Sequence, residues 1–274
     1  MNKTKSKNSQ KPFVKHRISK DRELFNRIAN KYTHKDLAPI CMMARKRRLL
    51  ATIDALGKKF PHRPRILEVG CAGGFSTRYL HNKFCEYVGV DHAELLIDYA
   101  RAWNSREGVS FLSSDILNYH TDIPFDIILL IGVLHHFSDL QANLSHIKSL
   151  LKPGGWILAN EPQCSNKIIN VMRMIRKGID ISYSTEQIYF SPNGLRKAYS
   201  RAGFRNVAIR AQGIFSTPFA EVILSPTWLF YPLAVTAIHV DTFLERRLGQ
   251  MFLPITWNIV ALGQAPNPVS TCQD

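Results

Sequence analysis

The sequence contains no C-x-x-C pair. Its five cysteines, Cys41, Cys71, Cys85, Cys164 and Cys272, are scattered and belong to no Cys/His cluster. That excludes a disulfide framework and a structural zinc site, so no metal is expected, and a reducing, cytoplasmic setting fits best. Acids are scarce at the start of the chain. Residues 1–65 hold 19 Lys and Arg against 4 Asp and Glu, whereas residues 66–274 hold 17 of each. The whole net charge of +15 therefore precedes residue 66. Residues 1–20 lack any acid until Asp21 and have almost no apolar side chain. They carry neither the apolar core of a secretory signal nor material for a packed interior, and they read as a basic disordered tail. Such a segment attracts polyanions, either RNA or the headgroups of an anionic membrane. Long apolar runs are lacking too. Residues 222–240 have no charged side chain apart from His239, but Pro226 and Pro232 interrupt them, which argues against a membrane span. There is no internal repeat.

What is present is enough for a core: 45% of residues are apolar and 21% charged. Helical periodicity begins near Asp21, with Leu24, Phe25, Ile28 and Ala29 on one face. A second helix is expected over residues 39–56, its basic run Arg45–Arg48 giving the exposed face a positive stripe. Strands and helices then alternate. Strands are expected at 65–69, 86–91, 109–112, 125–131 and 156–160, with helices at 75–82, 93–104 and 139–151. The run Phe125–Ile131 is apolar at six of its seven positions, as suits a central strand covered on both faces. This alternation implies a doubly wound, mostly parallel α/β sheet. A helix at 192–202, a strand at 205–211 and a last strand at 257–262 follow. Between the last two strands lies an aromatic, proline-punctuated segment, 215–254, which reads as a lid over a substrate, an interfacial membrane element or an extension of the core.

The residues 66–74, ILEVGCAGG, run an apolar strand into a turn of small residues before a helix. Small residues let a backbone approach a ligand, and helix-terminal amides favour an anion. A dinucleotide turn would place glycines at 70, 72 and 75, but Ala72 and Phe75 stand at two of them. Asp91 ends the second strand, where a carboxylate can accept the hydroxyls of a ribose. Asp115 follows the third strand, and Gly132 to Phe137 (GVLHHF) follow the fourth. Together these blocks resemble the class I S-adenosylmethionine-dependent methyltransferases, in family order and spacing over roughly residues 65–160, with Ala72 where a glycine is usual.

The resemblance implies a seven-stranded sheet whose last strand is antiparallel, and S-adenosyl-L-methionine as cofactor. It implies cofactor contacts from Glu68, Gly70, Cys71, Ala72, Gly73, Gly74, Asp91, His92, Asp115, Ile116, Ile131 and Gly132. It divides the chain into a tail (1–20), a helical extension (21–60), a methyltransferase domain (61–264, with 215–254 as a lid-like insertion) and a C-terminal tail (265–274). Candidate bases are His135, His136 and Glu161, with Asp139 nearby; each is also readable as a structural group. The Asn/Asp-Pro-Pro-aromatic motif of nucleic-acid amine methylation is missing after the fourth strand, where residues 131–134 read IGVL. The block looks like the small-molecule branch, and the aromatic insertion suits a lipophilic acceptor. The alternative is an RNA methyltransferase that docks through the basic N-terminus.

Overall fold

The computed structural model describes residues 12–179 and 188–267. Two helices, α1 (Pro12–Leu37) and α2 (Pro39–Asp54), precede the sheet. The remaining elements are β1 (Arg65–Val69), α3 (Ser76–Tyr79), β2 (Glu86–Asp91), α4 (Glu94–Asn104), β3 (Val109–Ser113), β4 (Phe125–Ile131), α5 (Leu140–Ser149), β5 (Leu151–Pro162), α6 (Lys167–Ile179), α7 (Pro192–Arg201), β6 (Arg205–Gln212), α8 (Thr217–Glu221), α9 (Thr227–Leu248) and β7 (Asn258–Gln264). The seven strands lie in the order β3-β2-β1-β4-β5-β7-β6. All neighbours are parallel except β7, which runs antiparallel to both β5 and β6. This is the doubly wound sheet expected, with the last strand inserted before the sixth.

Alternation along β4 explains why the sheet is covered on both faces. Ile128 and Leu130 pack with Leu144, Ile147 and Tyr199, whereas Ile127 and Leu129 pack with Ile53, Ile97 and Leu262. All four β4 side chains are fully buried, so truncating any one to Ala costs about 2–5 kcal/mol. Local signals set the helix starts. Ser191 caps α7 by accepting from the Gly194 amide at 3.0 Å, with Pro192 at the first helical position.

Three local expectations change. Helix α1 starts at Pro12, well before Asp21, so residues 12–20 are helical where a tail was expected; no Gly or second Pro interrupts the stretch, and Pro suits a first turn. Residues 1–11 and 268–274 lie outside the described residues. The basic run on α2 is not a free positive stripe. Arg45 pairs with Asp36, Arg47 with Glu245 and Arg48 with Glu221, which ties α2 to α1, α9 and α8. Asp139 is the N-cap of α5, its Oδ1 accepting from the Ala142 amide at 3.0 Å, and it does not reach the cavity described below.

Candidate active site

A cavity of about 740 Å³ lies beyond the carboxyl ends of the strands. Gly70, Asp115 and Gly132 follow β1, β3 and β4, Asp91 ends β2, and all four line it. In spatial order Asp115, Asp91, Gly70 and Gly132 stand on adjacent strands, three spacings or about 14 Å across.

The turn after β1 takes its shape from small residues. Gly70 has φ +69°, and a side chain there would collide with Val133. Gly74 has φ +72°, and an added Cβ would stand 2.5 Å from the Phe111 ring. Ala72 adopts φ 45°, a conformation that suits glycine better. Its amide donates to Asp91 Oδ2 at 3.0 Å, while Asp91 Oδ1 accepts from the Ala93 amide at 2.9 Å. One carboxylate thus clamps the β1 turn to the end of β2. A carboxylate offers about four lone-pair sites, so two remain for a ligand. Asp115 Oδ1 accepts from the Leu117 amide at 2.9 Å, and Ser114 and Ile116 complete that end of the wall. At the other end Gly132, with φ +74°, donates to the Asn160 carbonyl at 2.8 Å, beside Ile131.

Glu68, Cys71, Gly73 and Gly74 lie behind the turn rather than on this cavity wall. The Glu68 carboxylate accepts from Ser76 Oγ at 2.9 Å and from the Tyr87 hydroxyl. Burial pushes its pKa up to about 7, against the opposing pull of those two donors. Cys71 packs on Gly89, where an added Cβ would stand 2.8 Å from its Sγ.

The first helix roofs the cavity. The Phe25 ring meets His136, His92 and Tyr32 edge-on at 5.3, 5.9 and 6.1 Å. Asn26 and Asn30 dock α1 on α4, accepting from the Leu95 amide at 3.2 Å and from the Tyr99 hydroxyl. Three buried nitrogens of residues on the cavity wall have no hydrogen-bond partner: His92 Nε2, beside Asp91, Arg48 Nε, near Gly132, and His136 Nδ1. A buried donor or acceptor left unpaired costs about 1–3 kcal/mol, so a water or a ligand that reaches these atoms recovers that cost.

Beyond Gly132 the cavity continues towards β5 and β7. Glu161 on β5 is fully buried. Its Oε1 accepts from the amides of Val133 and Leu134 at 2.8 and 2.7 Å, and its Oε2 stands 2.7 Å from His135 Nδ1. An ionised carboxylate only accepts, so with Glu161 in that form Nδ1 is the donor of this pair. His135 lines the cavity, with Pro162, Tyr189, Val222, Ile223 and Trp257 among its neighbours on the wall. His136 lies 4.1 Å from the His135 ring, and burial followed by that neighbour holds its pKa down. Asp21 Oδ2 is 3.4 Å from His136 Nδ1, a contact that is ionic only when the imidazole is protonated. Among the described residues no group of three His, Cys, Asp or Glu is placed to hold a metal ion.

Sequence reasoning missed Phe25, Tyr32, Arg48 and Arg173 on this wall. Arg48 was within reach as part of a basic run, but its inward direction depends on the pairing with Glu221. Nothing local marks Phe25, whose role comes from the docking of α1 on α4.

The sheet order, the glycine turn after β1 and the acids closing β2 and β3 define a class I S-adenosylmethionine-dependent methyltransferase domain. The chain belongs to the methyltransferase-domain family whose model matches residues 43–209. Among curated proteins it is similar to the ubiquinone biosynthesis O-methyltransferase of Bordetella bronchiseptica, 25% identical over 170 residues, covering 58% of this chain and 68% of that protein. It is also similar to the Coxiella burnetii (strain Dugway 5J108-111) protein of the same name, 34% identical over 93 residues, a match spanning 33% of this chain and only 40% of that relative. In fold it is similar to magnesium protoporphyrin IX methyltransferase from Synechocystis PCC 6803, with TM-score 0.61, 14% identity, and 90% and 98% of the two chains covered.

Proposed function

We propose that this chain transfers a methyl group from S-adenosylmethionine to a hydroxyl oxygen of a small, lipophilic metabolite. The observation that carries the acceptor chemistry is the Glu161–His135 pair on the cavity wall. Asp91 would hold the ribose hydroxyls with the two lone-pair sites its clamp leaves over. Asp115 and Ile116 would take the adenine, and His92 Nε2 would gain a partner there. Ile131, Gly132 and the glycine turn of Gly70 and Ala72 would border the amino-acid end, where Arg48 Nε meets the carboxylate. Glu68, Cys71, Gly73 and Gly74 would act one layer back, by fixing that turn. When bound, the cofactor supplies an electrophilic methyl on a sulfonium centre, already a good leaving group, so the chain's main task is alignment in a dry site.

A hydroxyl becomes a competent nucleophile as it loses its proton, and His135 Nε2 is the group to receive it. Glu161 is a positioning residue: it sets the tautomer and orients the ring, as a carboxylate does in other His-dependent sites. His136 stays neutral and supports the stack. The names of the O-methyltransferase relatives agree with an oxygen acceptor. The reading that the chain methylates RNA rests on its basic N-terminal region, and the inward pairing of Arg45, Arg47 and Arg48 takes away part of that support. Peripheral contact of the N-terminal segment with an anionic membrane belongs to the same proposal as the lipophilic acceptor.

The test is His135→Gln, followed by the rate at which labelled methyl passes from the cofactor to extracted cell lipids. The expected loss is about 10²–10⁴-fold with unchanged cofactor affinity, and the acidic limb of the pH–rate profile disappears. A variant with the wild-type rate and profile would remove His135 as the base.

A further inference from the structure

We propose that the rim of the cavity is a docking face for an anionic lipid bilayer, through which the acceptor enters without crossing water. The proposal rests on the lipophilic-acceptor reading and adds the surface and partner that would deliver such an acceptor.

Val222 and Ile223 line the cavity and are also 40% and 51% exposed, so they stand at its edge. Just beyond them α9 opens with Trp228, 76% exposed, and Tyr231, 42% exposed. On α6, Ile168, Val171 and Met174 recur every three residues and are 74%, 51% and 68% exposed. That spacing puts them on one helix face. Arg173, on the same helix, reaches the cavity wall, and Asn166 just before it donates to the Ile255 carbonyl at 2.7 Å, where another exposed apolar side chain stands. Helix α6 thus borders the cavity through Arg173, and α9 begins four residues after the wall residue Ile223.

Scattered apolar residues on a surface need no explanation, but exposed apolar strips on two segments that adjoin wall residues of one cavity do. The charge pattern selects the partner. Lys31 on α1 is exposed and lines the same cavity, and residues 1–65 hold 19 Lys and Arg against 4 Asp and Glu, of which Arg45, Arg47 and Arg48 are paired within the fold. Apolar and aromatic side chains beside cations match the boundary between acyl chains and anionic headgroups. Among the described residues no helix is long and apolar enough to cross a membrane, so the contact proposed is interfacial.

The experiment measures partition of the full chain onto phosphatidylcholine vesicles with and without phosphatidylglycerol, in the absence of acceptor. Binding is expected only with the anionic lipid. The triple variant Ile168→Ser, Met174→Ser, Trp228→Ser is expected to lose at least about tenfold in partition, because interfacial binding follows the apolar area inserted. These side chains are exposed, so its thermal midpoint and cofactor affinity should match wild type. As a second readout, brominated acyl chains should quench wild-type tryptophan emission and quench Trp228→Phe much less. Unchanged partition of the triple variant overturns the proposal, as does quenching that survives in Trp228→Phe. Loss of binding on deleting residues 1–11 alone, with the triple variant unaffected, also overturns it, since the arm and not the face would then dock. So does binding to RNA with none to vesicles, or substitutions that abolish only self-association. Vesicle binding without any methylated lipid product would leave docking standing and sink the acceptor reading instead.

Discussion

Asp91 is placed to do two things at once, and that makes its substitution informative. Its oxygens already accept from Ala72 and Ala93, which fixes the turn before any ligand arrives. Asp91→Ala removes this clamp together with the ribose acceptor proposed above, and charge-assisted hydrogen bonds of this kind are worth about 1.5–3 kcal/mol. Calorimetry should therefore show roughly 10- to 150-fold weaker binding of S-adenosylmethionine, and of its decarboxylated analogue equally. Arg48→Ala should separate the two ligands, weakening the carboxylate-bearing cofactor while sparing the analogue. Equal losses for both ligands in Arg48→Ala would place the guanidinium elsewhere. Glu68 gives a prediction about stability. Its pKa is raised by burial from 4.5 to about 7, so the folded state holds a proton that the unfolded state releases. The stabilisation is complete below about pH 4.5 and is lost as pH rises to about 7. Glu68→Gln should flatten the denaturation midpoint across that window, and an unchanged slope would mean that other groups set it. These motif acids were readable from spacing alone, because strand ends and loop lengths in this fold follow the chain. The Glu161–His135 bond was not readable as a pair: both residues were candidates, but only the adjacency of β4 and β5 brings them to 2.7 Å.

Among the elements, the strands were the most readable, since β1, β2, β4 and β7 are short apolar runs bounded by polar or small residues. The helices that finish the site were harder. Helix α6 was not anticipated, although Asn166 caps its start by accepting from the Ile169 amide at 3.1 Å. The segment 215–254 was left open between lid, interfacial element and core. It folds as α8 and α9 followed by a 3₁₀ stretch, and the exposure of Trp228 removes the core reading for that residue. What fixes this segment is Asp241, fully buried on α9. It accepts from the amides of Ile214, Phe215 and Ser216 and from the Ser216 hydroxyl, at 2.5–3.1 Å. Asp241→Ala would strand several buried donors, each costing about 1–3 kcal/mol, so a loss of at least about 3 kcal/mol is expected in urea denaturation. Trp228→Ala on the same protein should change stability by no more than about 0.5 kcal/mol, as surface substitutions do. The reverse ranking would show that α9 is held by its aromatic face rather than by the Asp241 anchor.

In the molecule as a whole, the charge asymmetry and the fold divide the labour. The sheet presents Asp91 and Asp115 at the carboxyl ends of its strands, the first helix roofs them, and in the proposed function the cofactor lies there with the acceptor towards β5 and β7. An excess of positive charge at one end was plain from the sequence, but its meaning was not, because composition does not distinguish a free cation from one paired within the fold. The most direct measurement incubates the protein with methyl-labelled S-adenosylmethionine and fractionated cell extract, lipid and RNA fractions kept apart, and identifies the labelled product by mass spectrometry. The account predicts label in the lipid-soluble fraction, as a single methyl on oxygen in a small molecule, and its loss in His135→Gln. Label found in RNA, or on nitrogen or carbon of a product that His135→Gln still makes, would contradict it.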